Sequence, residues 1–163
     1  MRDYLLKYGK QKLEQSGKQG ARKKTSHKWF ETQDPIAYWN DFSKQKIVWT
    51  PVNKEYRFTI VEPEYFFNNS VFMITNKGDE NLKVILCVMN SKLFVFYLNL
   101  ITSEEYQYGS KELFQTFPIP KPNLKIEQQI EKLLQEKDYK AIDNLFYKLY
   151  GLDKEEIEFI ESQ

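Results

Sequence analysis

The sequence predicts an α+β fold with a small, mainly antiparallel sheet, packed helices and a C-terminal helical tail. Short β-branched and aromatic runs separated by turn residues fill the stretch from 46 to 75, which is typical of strands. Two apolar segments with helical spacing follow, at 82–89 and 93–101. Residues 124–163 then place apolar side chains on one face and charged side chains on the other, as amphipathic helices do.

The N-terminal part predicts a helix followed by a basic loop. Residues 4–14 are expected to be helical, with Leu6 and Leu13 one heptad apart. Residues 16–26 contain two glycines and four cations and have no apolar periodicity, so a loop is expected there.

A second helix is expected to begin at Asp34, an N-cap residue that Pro35 follows in the first turn. Its apolar face would hold the residues at i, i+3, i+4 and i+7, which are Pro35, Tyr38, Trp39 and Phe42. The three tryptophans are expected in the core rather than on a base-stacking surface; they are Trp29, Trp39 and Trp49.

The strands are expected to form an antiparallel meander. Turn residues separate short apolar runs in this part of the chain. The predicted strands are 46–50, 57–61, 65–67 and 70–75.

Helices are predicted for the remainder of the chain, with one extended interruption. Ser91 is expected to cap the second of the two apolar helices, and the prolines at 117–122 predict an extended hinge. In the tail, Gly151 is expected to end one helix, and Asp153 with Glu156 to begin the next as a capping pair. The predicted domain boundaries give an N-terminal helix and basic loop at 1–28, an α+β core at 29–120 and a C-terminal helical tail at 121–163.

The net charge of +1 conceals a polarised distribution. Residues 1–28 carry nine basic and two acidic side chains, whereas residues 104–163 carry eight basic and thirteen acidic ones. Such asymmetry favours a polyanionic partner at the basic end, although a solvated basic arm is an equally ordinary explanation.

Catalytic and metal-binding residues are not predicted. His27 is the one histidine, Cys87 is the one cysteine, within an apolar run, and no glycine-rich phosphate-binding motif occurs. Cys87 is expected to be a small buried hydrophobe in a reduced, cytoplasmic environment. No apolar run approaches the roughly 18 residues of a membrane span, so no membrane partner is expected.

Three clusters offer side chains suited to DNA. Cations suit phosphates, and Gln, Arg, Lys and Tyr can also reach base edges. In the N-terminal basic segment they are Lys18, Arg22, Lys23, Lys24 and Lys28. Near the second predicted strand they are Lys54, Tyr56 and Arg57, and after the second apolar helix they are Tyr106, Gln107, Tyr108 and Lys111.

Several motifs, in order, resemble one family. The stretches that carry the resemblance are 28–33, 38–42, 46–49, 65–70, 90–97, 117–120, 142–152 and 155–157. Together they are similar to the TaqI-like C-terminal specificity domain, the target-recognition domain of type IIG restriction–modification enzymes and adenine-specific DNA methyltransferases.

The resemblance implies a domain that recognises a sequence in double-stranded DNA and has no cofactor of its own. The S-adenosylmethionine and catalytic motifs of such methyltransferases are not found in the sequence. S-adenosylmethionine, and magnesium for cleavage, are therefore expected in other domains of a bacterial or archaeal parent enzyme. The expected partners are DNA and a methyltransferase domain, of the same polypeptide or of a partner subunit.

The sequence leaves two alternative functions open. The amphipathic tail favours a protein-docking specificity module that pairs with a separate methyltransferase subunit. A stand-alone metal nuclease would need clustered carboxylates beside a lysine, for which Asp79 and Glu80 near Lys77 and Lys83 are the candidates.

Overall fold

The computed structural model describes residues 2–14, 25–50, 57–101 and 111–163, and the chain divides into two compact units, 1–39 and 40–163. In the first unit, helix α1 spans Arg2–Leu6 and a short 3-10 helix spans Lys10–Lys12. Between them Gly9 has a φ of 87°, a conformation that glycine adopts without strain and that ends a helix. The prediction of one continuous helix over 4–14 is therefore wrong.

The helix predicted from Asp34 is also wrong. Residues Trp39–Ser43 form a 3-10 helix instead, in which Phe42 is buried. Tyr38 and Trp39 are 55% and 56% exposed. A 3-10 helix turns every three residues, so the α-helical spacing of these aromatics does not bring them onto one face, and Trp39 is not a core residue.

The second unit contains a three-stranded antiparallel sheet. Strand β1 spans Lys46–Trp49, β2 spans Thr59–Val61 and β3 spans Phe72–Ile74. Their order is β2-β1-β3, with Ile47 opposite both Ile60 and Ile74. The antiparallel sheet is confirmed, whereas the sequential order of a meander is wrong because the first strand is the central one.

The strand predicted at 65–67 does not form. Glu64 has a φ of 70°, and its backbone N–H donates to the Phe42 carbonyl at 3.0 Å, which turns the chain away from the sheet. Phe66 stacks on the Phe42 ring, with 4.9 Å between centroids.

Strand β1 is buried along its whole length, and it includes a lysine. The Nζ of Lys46 donates to the carbonyls of Phe42 at 3.0 Å and Glu62 at 3.3 Å. These bonds offset the cost of burying an ammonium group, and they join the 3-10 helix to the end of β2.

Helices α2 and α3 form the centre of the core, as predicted. Helix α2 spans Leu82–Met89 and α3 spans Lys92–Ile101. The Phe94 N–H donates to the Ser91 Oγ at 3.2 Å, which confirms Ser91 as the cap. In the described part of the chain no single helix is long and apolar enough to cross a membrane; α2 and α3 qualify only as a pair, bent by 58°.

Four further helices complete the unit. Helix α4 spans Lys111–Thr116, α5 Leu124–Glu136, α6 Tyr139–Tyr150 and α7 Lys154–Glu161. Gly151 ends α6 in the left-handed conformation, and Asp153 and Glu156 form a complete capping box. Both predictions are confirmed. Ile130, Ile142 and Phe146 of α5 and α6 pack in the same buried cluster as the sheet.

A polar cluster fastens the last helix to α3 and α6. Lys92 pairs with Glu161, and the Tyr147 hydroxyl donates to the same carboxylate at 2.8 Å. These bonds lower the pKa of Glu161. The Lys92 backbone N–H donates to Asp143 at 3.0 Å, but desolvation still raises the pKa of Asp143.

Cys87 is expected to resist thiol reagents until the protein unfolds. Its side chain is buried, as predicted, and desolvation raises the pKa of the thiol to about 11. At pH 8 only about one molecule in a thousand then carries the reactive thiolate. Alkylation with iodoacetamide should be slow in buffer and complete in guanidinium chloride, as followed by intact-protein mass spectrometry. Equal rates in both solvents would contradict a buried thiol.

Candidate nucleic-acid interface

Three of the twelve predicted DNA-contacting residues lie in the described part of the chain. They are Lys28, Arg57 and Lys111, the last of which begins α4. The other nine lie outside the described residues; they are Lys18, Arg22, Lys23, Lys24, Lys54, Tyr56, Tyr106, Gln107 and Tyr108. Their contacts with DNA remain predictions.

Lys28 lies exposed in the first unit and is the last cation of the predicted N-terminal basic segment. Its backbone N–H donates to the Glu31 carboxylate at 2.8 Å, and its Nζ lies 5.7 Å from the centre of the Phe30 ring. The neighbouring His27 donates from Nδ1 to the Thr32 carbonyl at 2.7 Å. These local bonds order the backbone around an exposed cation.

Four aromatic rings form a packed group in the second unit, which we call the stem cluster: Trp49, Phe58, Phe94 and Phe114. The Trp49 ring lies 5.7 Å from Phe58 and 4.9 Å from Phe114, and Phe58 lies 5.8 Å from Phe114. Phe94 of α3 lies 5.9 Å from both phenylalanines. Edge-to-face and stacked rings at these distances attract one another beyond the burial of their area.

The stem cluster joins the ends of two segments that carry predicted DNA contacts. Trp49 ends β1 just before segment 51–56, and Phe58 follows that segment. Helix α3, which contains Phe94, ends directly before segment 102–110. Helix α4, which contains Phe114, begins directly after that segment. The described residues that flank both segments are therefore packed on one support.

Arg57 lies exposed at the base of the first of these segments. The next residue, Phe58, is bound through its backbone by the side chain of Asn90, at the C-terminus of α2. Beside them is a cavity of about 450 Å³, with Arg57, Thr59, Asn90, Tyr139 and Asp143 among its lining residues. Asn90 is not among the predicted site residues, although it begins the family-like stretch 90–97.

Several of the carboxylates that the structure describes have structural roles. Within the described ranges, no group of three or more His, Cys, Asp or Glu side chains could hold a metal ion. In the adjacent pair Glu155 and Glu156, the Glu156 carboxylate accepts the Asp153 N–H of the capping box. Glu80 accepts the Gly78 N–H at 2.8 Å, and this bond lowers the pKa of Glu80.

Comparison with known proteins identifies the family. The TaqI-like C-terminal specificity domain matches residues 1–119. Comparisons with curated proteins and with solved structures gave no match. Specificity domains of this family point to DNA target recognition in restriction–modification enzymes and are not themselves catalytic. Since the match covers most of the chain, this protein belongs to the family of TaqI-like C-terminal specificity domains.

Proposed function

We propose that the chain is the sequence-specific DNA-binding domain of a type IIG restriction–modification enzyme or adenine-specific DNA methyltransferase. It binds double-stranded DNA and presents it to a methyltransferase domain, in the same polypeptide or in a partner subunit. S-adenosylmethionine and magnesium would be bound by the parent enzyme's other domains, in the cytoplasm of a bacterium or archaeon.

The observation that carries this proposal is the stem cluster. Segments 51–56 and 102–110 contain side chains able to contact base edges, such as Lys54 and Gln107. The aromatic residues at the ends of these segments pack within 6 Å of one another. One packed support therefore holds the chain beside both segments, which lowers the conformational entropy lost when their side chains bind one DNA site.

The basic N-terminal segment has a different role in this proposal. Its cations neutralise phosphates, which supplies affinity for DNA of any sequence, whereas segments 51–56 and 102–110 supply discrimination between sequences. The acidic residues that predominate in 104–163 disfavour a phosphate contact along the tail helices.

A salt titration combined with binding-site selection tests the proposal. The affinity for a fluorescent duplex, measured by anisotropy, should fall linearly on a log–log plot between about 50 and about 300 mM salt. Selection from a randomised duplex pool should enrich a short motif. Binding that is insensitive to salt, or selection that enriches no motif, would reject a sequence-specific DNA-binding function.

One observation favours the alternative function, a module that docks a separate methyltransferase subunit. Phe159 of α7 is 57% exposed and lies beside the exposed carboxylates of Glu155 and Glu158. The main apolar faces of the tail, however, pack on the domain's own core through Ile130, Ile142 and other residues. The main apolar faces of the tail are therefore occupied within the domain, and the DNA-binding function is preferred.

A further inference from the structure

The cavity of about 450 Å³ lies between the start of β2, the end of α2 and the junction of α5 with α6. Its buried lining is mainly apolar and includes Cys87 and Ile142, which are 5% and 3% exposed. Its exposed lining carries polar groups, among them those of Thr59 and Tyr139. A concave site of about 300 to 1,000 Å³ with an apolar floor and a few polar groups is typical of small-ligand sites.

Three polar side chains of this lining have hydrogen-bonding capacity that the domain does not use. The hydroxyls of Thr59 and Tyr139 have no hydrogen-bond partner among the described residues. The Oδ1 of Asp143 accepts the Lys92 backbone N–H at 3.0 Å, and its Oδ2 accepts no hydrogen bond from the described chain. Since a carboxylate has about four acceptor positions, Asp143 can accept further donors from a ligand in the cavity.

The charge of Asp143 is also without a cation of its own. Within the described ranges, the charged groups that act on this carboxylate are Lys92 and Glu161, and these two pair with each other. Arg57 lines the cavity too, but it is not among the groups that act on Asp143. Desolvation therefore dominates and raises the pKa of Asp143. A ligand cation beside a partly buried carboxylate offsets this cost.

We propose that the cavity binds a primary ammonium or guanidinium group carried on a short apolar stem, with the cation at Asp143. The stem packs on the apolar floor, and the cation donates to the Oδ2 of Asp143 in a charge-assisted hydrogen bond, which is roughly twice as strong as a neutral one. At about 30 Å³ per non-hydrogen atom, the volume holds a ligand of up to about fifteen such atoms. The inference is independent of DNA binding, because it involves neither of the segments 51–56 and 102–110.

Two sources supply this chemistry, and the test includes both. One is a free amine or guanidine, for which the probe is n-butylguanidinium. The other is an arginine or lysine side chain of another polypeptide, for which the probe is the N-acetylated tripeptide glycyl-arginyl-glycinamide. The control ligand is n-butylurea, which has nearly the same shape as n-butylguanidinium and no charge.

Binding is measured on the full chain by amide chemical shifts in two-dimensional NMR titrations, in about 0.15 M salt. n-Butylguanidinium should shift the amides of Thr59, Leu134 and Ile142, which line the cavity. The expected Kd is on the order of 1 mM, as suits a ligand of about eight non-hydrogen atoms. n-Butylurea should bind at least about tenfold more weakly, because it offers no charge to the carboxylate.

Two variants and a matched control identify the site. Asp143→Asn keeps an oxygen that can accept the Lys92 N–H and removes the charge, so binding should weaken at least about tenfold. Leu134→Phe fills part of the cavity without changing any charge and should also reduce binding at least about tenfold. Glu155→Gln removes the same charge from an exposed position in α7, and its affinity should stay within about twofold of the wild type, since exposed charges are screened. Urea unfolding checks that each variant is folded, and Leu134→Phe keeps the test decisive if Asp143→Asn folds poorly.

The outcomes separate the proposal from its alternatives. It is overturned if n-butylguanidinium does not bind, if n-butylurea binds equally well, or if folded Asp143→Asn or Leu134→Phe binds as the wild type does. An equal loss in Glu155→Gln would also overturn it, since affinity would then follow net charge alone. If the site is upheld and the tripeptide binds at least as tightly as n-butylguanidinium, the occupant is a side chain of another polypeptide. If the tripeptide binds more weakly, the occupant is a free small molecule.

Discussion

Replacing four cations of the basic segment with glutamine is expected to weaken binding to all DNA sequences by a similar factor. The residues are Lys18, Arg22, Lys23 and Lys24. Each phosphate contact adds roughly 0.9 to the slope of log affinity against log salt, so four contacts add up to about 3.6. Near 0.1 M salt the loss can reach about 300-fold, whereas near 0.5 M the variant and the wild type should converge.

The matched control removes four cations from the tail helices. Lys125, Lys137, Lys140 and Lys148 of the α5–α6 region are exposed, and changing them to glutamine alters the net charge by the same amount. Anisotropy titrations at several salt concentrations should show a near wild-type slope for this control. Equal weakening in both variants would mean that net charge, not the basic segment, determines binding. A loss confined to the selected duplex would mean that these cations contact bases.

Local signals explain which parts of the fold could be predicted from the sequence. The capping box at Asp153, the C-terminal stop at Gly151 and the core spacing of α2 and α3 each depend on residues within a few positions of one another. Strand β1 was also predictable, because its run of apolar residues is short and ends before Pro51.

Tertiary contacts explain what could not be predicted. The central place of β1 depends on pairing with strands on both sides, and the loss of a strand at 65–67 depends on a bond from Glu64 to Phe42. The aromatic stretch around Trp39 had helical spacing but formed a 3-10 helix. The exposure of Trp39 shows that the prediction of a core position for this residue is wrong.

In the candidate site too, residue types were predictable from the sequence and tertiary contacts were not. Residue type pointed to the segments around Lys54 and Gln107, since cations and amides suit DNA wherever they occur along the chain. Their common support was not predictable, because Trp49 and Phe114 are far apart in sequence and meet only in the folded core. The same holds for Asn90 and Phe58, which are 32 residues apart.

The stem cluster also supports stability, so Phe94→Ala is expected to lower the free energy of unfolding by about 3 to 5 kcal/mol. Phe94 is 2% exposed, and its ring packs against Phe58, Phe114 and Phe117. A cavity of this size removes contacts from three neighbouring rings at once. Since domains are stable by only about 5 to 15 kcal/mol, the variant should lose a large part of its stability in urea unfolding followed by circular dichroism.

Phe159→Ala makes the same chemical change at a site that is 57% exposed, where the ring meets Phe96 at 5.8 Å. This control should cost less than about 1 kcal/mol. Similar losses in the two variants would contradict the buried position of Phe94. At a temperature where Phe94→Ala is still folded, its discrimination between the selected duplex and the same duplex with one base pair changed should nevertheless be reduced, because the cluster that it loosens flanks both segments proposed to contact DNA. Full discrimination in the folded variant would mean that the packing of Phe94 stabilises the domain without contributing to sequence discrimination.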